Sequence, residues 1–325
     1  MASAVAHSLT SAGSARSRTG EHATRSPLNE SIIKPFSSQD IRALLGVRGI
    51  YEGPFNGPVY DHVMRVTGHY DALEYLARHF ILSTLDFPIV DLGCGTAHLL
   101  AYLIRSGNGE VKRKLMGFVA AHPHTPAIVA LDVDATTMLR QSGTNLTTSL
   151  ECAGYPASWI GENPDVHKVV LVSSSIEDVY LNRMDWLLNT PAQFLFMTYV
   201  NHWIGGGRVE DESISEFRSR TLQAKFRAAQ IASMICAEGG QLFSAEEFKL
   251  VVSPATERSI PGLNELVHKN TSPINKSKLY DLFAQAGFDL NESPNSKAID
   301  SQHDMTGAVF RLKEKRKFSD LSVVL

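Results

Sequence analysis

The sequence contains few cysteines, no long apolar run and little excess charge of either sign. Its three cysteines, Cys94, Cys152 and Cys236, lie far apart and form no CxxC pair, so we expect neither a disulfide framework nor a zinc site. No uninterrupted apolar run reaches the roughly 18 to 20 residues that cross a bilayer. The net charge of −3 gives no overall attraction for nucleic acid. These absences favour a cytoplasmic protein that acts on a small molecule, without a metal, a membrane or DNA.

The chain begins with two segments of unusual composition. Residues 1–30 consist mainly of Ser, Ala, Thr, Gly and Arg, with no apolar centre of a secretory signal. We predict a disordered tail there, and the composition also resembles an organelle transit peptide. Residues 31–70 contain short apolar pieces broken by prolines and glycines, with helical turns expected at 40–45 and 60–66. This segment is predicted to be a helical lid or a homodimer contact.

From residue 71 onward the pattern becomes regular. Apolar residues at 73, 76, 77, 80 and 81 fall on one face of a helix. Apolar runs near 89–92, 127–133, 168–174 and 192–200 then alternate with helical segments. Such near-continuous runs are typical of strands that are covered on both faces. The sequence therefore predicts an α/β fold, a doubly wound and mostly parallel sheet with helices on both faces, in one domain over 71–325.

Two details of this pattern give narrower expectations. Residues 107–126 are expected to form a surface loop, and a partial helix within it is the alternative. A long helix over 217–235 is expected to end at Gly239 and Gly240, with Arg218, Lys225 and Arg227 on its solvated face.

The stretch PIVDLGCGTAHLL, residues 88–100, predicts a buried strand, a tight turn and the start of a helix. Gly93 and Gly95 would let a ligand approach the backbone closely at the positive end of that helix. A dinucleotide fingerprint needs a third glycine where His98 stands, and the Gly-Lys-Ser/Thr of a phosphate loop is absent. Asp91, at the end of the strand, would repel a polyphosphate and hold a cation. A cationic ligand such as S-adenosylmethionine (SAM) fits this pattern.

At these residues the sequence resembles the class I SAM-dependent methyltransferases, whose first motif reads acid-x-Gly-x-Gly-x-Gly. Here the motif is DLGCGTA, with Ala97 in place of the final glycine. The resemblance continues over residues 73–315 and implies a Rossmann-like, seven-stranded sheet, SAM as cofactor and methyltransferase activity. It also implies cofactor contacts from Asp91, Gly93, Cys94 and Gly95, with Cys94 filling space in place of acting as a nucleophile.

Two further motifs follow in the family's order. ALDVDATTML resembles the second-strand motif, which implies that Asp132 binds the ribose hydroxyls and that Val133 and Met138 lie against the adenine. Asp134 is an alternative ribose ligand because it would point to the same side. SSSIEDV resembles the third-strand motif, with Ser175 and Ile176 at the adenine edge. The family's acid is missing there, and Glu177 or Asp178 is an alternative carboxylate.

The fourth strand runs into MTYVNHWIGGG, and the carboxyl ends of the strands face the ligand crevice in this fold. Our hypothesis is that His202 is the general base, since a histidine titrates near neutral pH. Tyr199 and Trp203 are predicted to line the acceptor pocket, and the aromatic residues of the lid, Tyr51, Phe55 and Tyr60, to add to its wall. Alternatively, His202 only caps the strand and Trp203 belongs to the core.

The methyl acceptor is expected to be a small molecule with an oxygen or nitrogen to be methylated. The Asn-Pro-Pro-Tyr and Asp-Pro-Pro-Tyr tetrapeptides of related families are absent, which argues against DNA adenine and glutamine acceptors. A second possibility is a protein or RNA acceptor, which a basic groove formed by Arg218, Arg220, Lys225 and Arg227 would support. A third is a SAM-binding scaffold that transfers nothing.

Overall fold

The computed structural model describes residues 56–107, 109–133, 137–181, 184–248, 252, 257–258, 261–299 and 303–315. The predicted tail 1–30 and the expected turn at 40–45 lie outside these residues. No helix in these ranges is long and apolar enough to span a membrane.

The described helices are α1 (Gly57–Val66), α2 (His69–Phe80), α3 (His98–Ser106), α4 (Gly109–Ala121), α5 (Met138–Cys152), α6 (Ile176–Leu181), α7 (Asp185–Leu188), α8 (Ile214–Ile235), α9 (Leu263–Asn270) and α10 (Lys276–Gln285). The described strands are β1 (Ile89–Leu92), β2 (Ile128–Asp132), β3 (Ile160–Gly161), β4 (Val169–Ser173), β5 (Ala192–Thr198), β6 (Cys236–Glu247), β7 (Phe288–Leu290), β8 (Asn295–Ala298) and β9 (Asp304–Leu312).

The strands form one mixed sheet in the order β3-β4-β2-β1-β5-β6-β9-β7, with β8 also paired to β9. The pairings from β3 to β6 are parallel, whereas β9 runs antiparallel to β6, β7 and β8. The chain order reverses at β1, which lies between β2 and β5. In a sheet of this kind the ligand crevice lies at the carboxyl ends of the strands beside the reversal.

Helices cover both faces of the sheet. Along β5, Phe194 and Phe196 pack in one core with α2, α3 and α5, whereas Leu195 and Met197 pack in the other with α8 and α10. Since successive strand residues point to opposite faces, burial of both faces makes the whole run apolar. The predicted doubly wound, Rossmann-like fold is confirmed, and the short strands β3 and β8 extend the expected seven strands to nine.

The helices before β1 follow the sequence pattern closely. Asn56 accepts a hydrogen bond from the Val59 N–H and caps α1. The predicted apolar stripe of α2 is buried against the sheet. Because α2 begins at His69, the predicted domain boundary between residues 70 and 71 falls within its first turn.

Two connections differ from the main expectation. Residues 109–121 form α4, whose buried Val111 and Leu115 lie one turn apart, so the predicted loop is largely helical. Helix α8 ends at Ile235 and β6 begins at the next residue. Gly239 lies inside β6 with a φ of 74°, where the register between β5 and β6 shifts. The glycine pair therefore lies at an irregularity in the pairing of β5 and β6, and it does not end the helix.

Candidate functional site

An open cavity lies at the carboxyl ends of β1, β2, β4 and β5, and encloses about 1190 Å³ including its mouth. The cavity wall contains all nine residues that were predicted to contact the cofactor: Asp91, Gly93, Cys94, Gly95, Asp132, Val133, Met138, Ser175 and Ile176. The structure therefore brings together residues that are separated by more than eighty positions in the sequence.

The glycine turn has the backbone that its sequence predicts. Gly93 and Gly95 have φ values of 81° and 56°, which favour glycine, and a Cβ on Gly93 would collide with the Val200 side chain. The N–H groups of Gly93 and Cys94 donate to the Leu131 carbonyl oxygen at 2.8 and 2.9 Å. The turn therefore allows a close approach to its backbone, while these two donors are already engaged with β2.

Ala97 occupies the place of the family's final glycine and is also left-handed, with a φ of 55°. It is the N-cap of α3 and is fully buried. The turn around it is held by α5, since Ser142 Oγ donates to the Gly95 carbonyl oxygen and Asn145 Nδ2 to the Thr96 carbonyl oxygen. An alanine with this φ carries local strain that glycine would not have.

Two carboxyl groups form the acidic wall of the cavity. Asp91 is 1% exposed, and its Oδ1 has no hydrogen-bond partner within the described structure. Burial, and then the charge of Asp132, raise the pKa of Asp91 to about 8. Oδ2 of Asp132 accepts a hydrogen bond from the Gly95 N–H at 2.9 Å. This wall favours a ligand that brings a positive charge.

The far end of the cavity contains the residues predicted for the adenine. Val133, Met138, Ser175 and Ile176 line it, together with Glu177. Asp178 is engaged elsewhere, because its N–H donates to Ser175 Oγ and its carboxylate accepts from the Ser175 N–H. Of the two alternative carboxylates, Glu177 is therefore the one that the structure places at the cavity. The alternative ribose ligand, Asp134, lies outside the described residues.

The opposite side of the cavity has aromatic walls. Tyr60, Tyr199 and Trp203, all predicted to contact the acceptor, line it. Tyr51 and Phe55, which were predicted for the same wall, lie outside the described residues.

The structure does not bring His202 to the cavity wall. The residue is 3% exposed, and its Nδ1 lies 3.1 Å from Oε2 of Glu246. The rings of Tyr199 and Trp203 lie against it, with centroid distances of 4.8 and 5.2 Å. His202 thus lies behind the predicted acceptor wall and can influence an acceptor only through it.

Sequence reasoning missed an aromatic pair on the cavity wall. Tyr70 and His98 line the cavity and stack with ring centroids 3.5 Å apart. The Tyr70 hydroxyl donates to Oδ1 of Asp61 and lies 2.9 Å from Oγ1 of Thr96. Burial lowers the pKa of His98 to about 4, so its ring is neutral at pH 7. In the sequence, His98 only signalled that the dinucleotide fingerprint was absent.

A second missed group lies at the end of β6. Glu247 accepts a hydrogen bond from the Tyr199 hydroxyl at 2.6 Å, and the same oxygen lies 3.2 Å from Nε2 of His69. The signal in the sequence was the pair of adjacent acids in SAEEF, directly after the short stretch LFSA.

The predicted basic face of α8 was wrong. Arg220 is buried and pairs with Glu212, with Nε and Oε1 2.7 Å apart. Lys225 is buried and donates to the Ile204 carbonyl oxygen at 2.6 Å, and burial lowers its pKa to about 7. Arg227 is buried as well and lines the cavity. Of the four basic residues only Arg218 is exposed, so they do not form a basic groove.

Comparison with known proteins gives similarities of fold only. No protein-family model matches the sequence, and no curated protein matches it. Among solved structures, an O-methyltransferase family protein from Burkholderia thailandensis matches with a TM-score of 0.45 and 12% sequence identity, over 80% of this chain and 60% of that one. The magnesium protoporphyrin IX methyltransferase of Synechocystis PCC 6803, with bound SAH, matches with a TM-score of 0.47 and 8% identity, over 83% and 99% of the two chains. A SAM-dependent methyltransferase from Thermotoga maritima matches with a TM-score of 0.43 and 13% identity, over 82% of this chain and 99% of that one.

Proposed function

We propose that the protein is a SAM-dependent methyltransferase that transfers a methyl group to an oxygen or nitrogen atom of a small molecule. The observation that carries this proposal is the carboxyl group of Asp91, buried in the cavity wall beside Asp132 with an oxygen that lacks a hydrogen-bond partner. A buried polar atom of this kind is costly unless a ligand satisfies it. SAM carries a sulfonium and an α-ammonium, and the ammonium would supply both the hydrogen bond and the charge.

The other cavity residues fit the rest of this cofactor. Gly95 leaves room for close contact with the turn, because the nearest atoms to a Cβ there are those of Met138 and Tyr60, at 3.5 and 3.8 Å. Asp132 ends β2 and offers a carboxylate to the ribose hydroxyls. Met138 and Val133 offer apolar contacts to the adenine, and Glu177 offers the carboxylate that the third motif lacks.

The bound cofactor would supply an activated methyl group, and the chain has to position the acceptor and exclude water. Tyr60, Tyr199 and Trp203 give the acceptor side flat aromatic walls, which suit an apolar or ring-containing molecule. Water exclusion would come from α1, where Tyr60 and Met64 reach the cavity. The helix lies close to α5, since a Cβ on Gly57 would be 2.6 Å from the Thr137 carbonyl oxygen.

We propose that α1 is part of a lid, and that the acceptor is small because this helix restricts the cavity. The alternatives are a macromolecular acceptor and a role of α1 in a homodimer. The groove that would have supported a protein or RNA acceptor is replaced by buried, paired side chains. Sedimentation of the full chain distinguishes a lid in a monomer from a dimer contact.

The test begins with calorimetric titration of the full chain with SAM, with SAH and with ATP as the matched control. We expect SAM and SAH to bind and ATP not to bind, since the acidic wall repels a triphosphate. SAH formation is then measured with extract fractions separated by molecular size. Product in the low-molecular-weight fraction supports the proposal, whereas product only with macromolecules would contradict the small-molecule acceptor. SAM binding without product in any fraction would indicate a scaffold, and absence of SAM binding would overturn the proposal.

A further inference from the structure

A chain of hydrogen bonds leads away from the acceptor side of the cavity. Tyr199 lines the cavity, and its hydroxyl donates to Oε2 of Glu247 at 2.6 Å. The same carboxylate oxygen lies 3.2 Å from Nε2 of His69. On the other side of the ring, Nδ1 lies 2.6 Å from Oγ1 of Thr67. The His69 side chain is 15% exposed, so the chain connects the cavity wall with solvent.

The partners in this chain determine where its protons lie. The Thr67 hydroxyl donates its single proton to the Val63 carbonyl oxygen at 2.7 Å, so its oxygen accepts from Nδ1 of His69. Oε2 of Glu247 already accepts the phenol proton, and its contact with Nε2 requires one more proton between ring and carboxyl. The His69–Glu247 pair therefore holds an exchangeable proton. When the partly exposed ring releases that proton to solvent, Glu247 becomes able to accept another.

The second phenol–carboxylate contact at the cavity is built differently. Tyr70 donates to Asp61, but that carboxylate also accepts from the Thr96 hydroxyl and from Nδ2 of Asn145. Three donors already occupy the Asp61 carboxylate, and they are a phenol, a hydroxyl and an amide, none of which exchanges protons near neutral pH. Of these two contacts, that of Tyr199 is the one that leads to a partly exposed group, His69.

The backbone holds Tyr199 in this position. Its φ is 57°, which is uncommon for a non-glycine residue and marks local strain. The residue directly follows β5 at its carboxyl end, and its N–H donates to the Ala245 carbonyl oxygen. Burial and then Glu247 raise the pKa of the phenol, so it stays protonated and passes a proton on without ionising. The titratable groups that face it are Tyr60 on α1, His69 on α2, Glu246 and Glu247 on β6, and His202 on the loop after β5.

We propose that Tyr199, Glu247 and His69 form a proton relay that takes up the acceptor's proton during methyl transfer, with Tyr199 as the residue in contact with the acceptor. This inference rests on the proposed function. It replaces His202, which lies behind the wall and faces Glu246, as the route of the proton.

The step balances without a further reactant. The acceptor's oxygen or nitrogen forms a bond to the methyl carbon, while the carbon–sulfur bond breaks and its electron pair stays on sulfur. The acceptor's O–H or N–H proton moves to the Tyr199 oxygen as the phenol proton moves to Oε2 of Glu247. The proton of the resting His69–Glu247 pair leaves to solvent before this transfer, so the proton that Glu247 receives restores the starting state.

The experiment measures SAH formation at pH 6.5 to 9 with SAM and the low-molecular-weight extract fraction that supports turnover. We compare the wild type with Tyr199→Phe and Glu247→Gln, and use Tyr75→Phe as the control, since Tyr75 is exposed and does not line the cavity. At pH 7 we expect both relay variants to be roughly 100-fold slower, with a Kd for SAM within about twofold of wild type. Their rates should rise about tenfold per pH unit, because the acceptor must then ionise without help.

Each outcome of this experiment either supports the relay or overturns it. Relay variants within about threefold of wild type would overturn the relay, and so would a loss of rate with a wild-type pH profile, which a purely structural role would give. If Tyr199→Phe fails to fold or to bind SAM, His69→Gln, which is off the cavity wall, should still lower the rate about tenfold at pH 7; no change would overturn the relay. Absence of SAM binding or of SAH formation by the wild type would overturn the proposed function and the relay together.

Discussion

Two pairs of acidic side chains lie at the carboxyl ends of the sheet, and their surroundings differ. Asp91 and Asp132 are buried at β1 and β2, and Asp91 keeps an oxygen without a partner and a raised pKa. Glu246 and Glu247 are equally buried at the end of β6. Both oxygens of Glu246 contact protein groups, and Oε2 of Glu247 contacts Tyr199 and His69.

The contacts of Glu246 show what the second pair does. Its Oε1 accepts from the Val200 N–H, the Asn201 N–H and the Asn201 side chain, and its Oε2 faces Nδ1 of His202. It thereby fixes the loop after β5, whereas no described residue donates a hydrogen bond to Oδ1 of Asp91. Burial alone does not separate a binding carboxylate from a structural one, but the number of donors around it does.

The largest expected effect is on SAM binding, through Asp91. Asp91→Asn should raise the Kd for SAM at least about 100-fold, because the amide has no charge to pair with the α-ammonium. Calorimetry at pH 8 measures this, with the exposed Asp165→Asn as the control. A Kd that stays within fivefold would contradict the assignment of Asp91 to the cofactor.

A change at Glu246 should instead lower stability and leave SAM binding nearly unchanged. Glu246→Gln should lower the free energy of unfolding by about 2 kcal/mol, because one amide cannot accept from donors on both sides. Its Kd for SAM should change less than threefold. Urea denaturation measures the loss, and Glu162→Gln, on the surface, should change stability by less than about 0.5 kcal/mol.

A pH series separates the two pairs further. The pKa of Asp91 is about 8 in the folded chain against an ordinary value of 3.8, so the folded state binds the extra proton between these values. The free energy of unfolding should therefore fall as pH rises from 5 to 8, by at most about 1.4 kcal/mol per pH unit. Asp91→Asn should lack this contribution, and denaturation midpoints for both proteins that run parallel over this range would contradict it.

The smallest effect concerns the turn between the two acids. Ala97→Gly relieves a left-handed φ, whereas Ala101→Gly, also buried, introduces glycine into the interior of α3. We expect the first variant to be more stable than the second by about 1 kcal/mol. Thermal denaturation gives the difference, and equal midpoints would show that Ala97 carries no strain.

Much of this architecture could be predicted because it depends on local pattern. Continuous apolar runs identified the parallel strands, and the two glycines after Asp91 located the cavity. Features that depend on partners distant in sequence could not be predicted. By their spacing, the basic residues of α8 fit a solvated stripe. In the structure, Arg220 is bonded to Glu212 and to the Gly205 carbonyl oxygen, and Lys225 to the Ile204 carbonyl oxygen.

The same reason explains why the proposed proton acceptor changed from His202 to Glu247. The position of His202 after the fourth strand predicted that it lies near the crevice. In the structure it lies directly behind Tyr199 and Trp203, which line the cavity. Its contact with Glu246, and the contact of Tyr199 with Glu247, join segments 44 and 48 residues apart. No spacing rule predicts which of two adjacent strand residues faces which ring.

The raised pKa of Asp91 has a calorimetric consequence. A carboxyl group that is mostly protonated at pH 7 must give up that proton to pair with an incoming ammonium, and the buffer takes it up. The measured heat of association should then vary with the ionisation enthalpy of the buffer, between phosphate and Tris for example. Ligand capture by this fold would thus be an exchange of one cation for another, a proton for the ammonium of an amino acid.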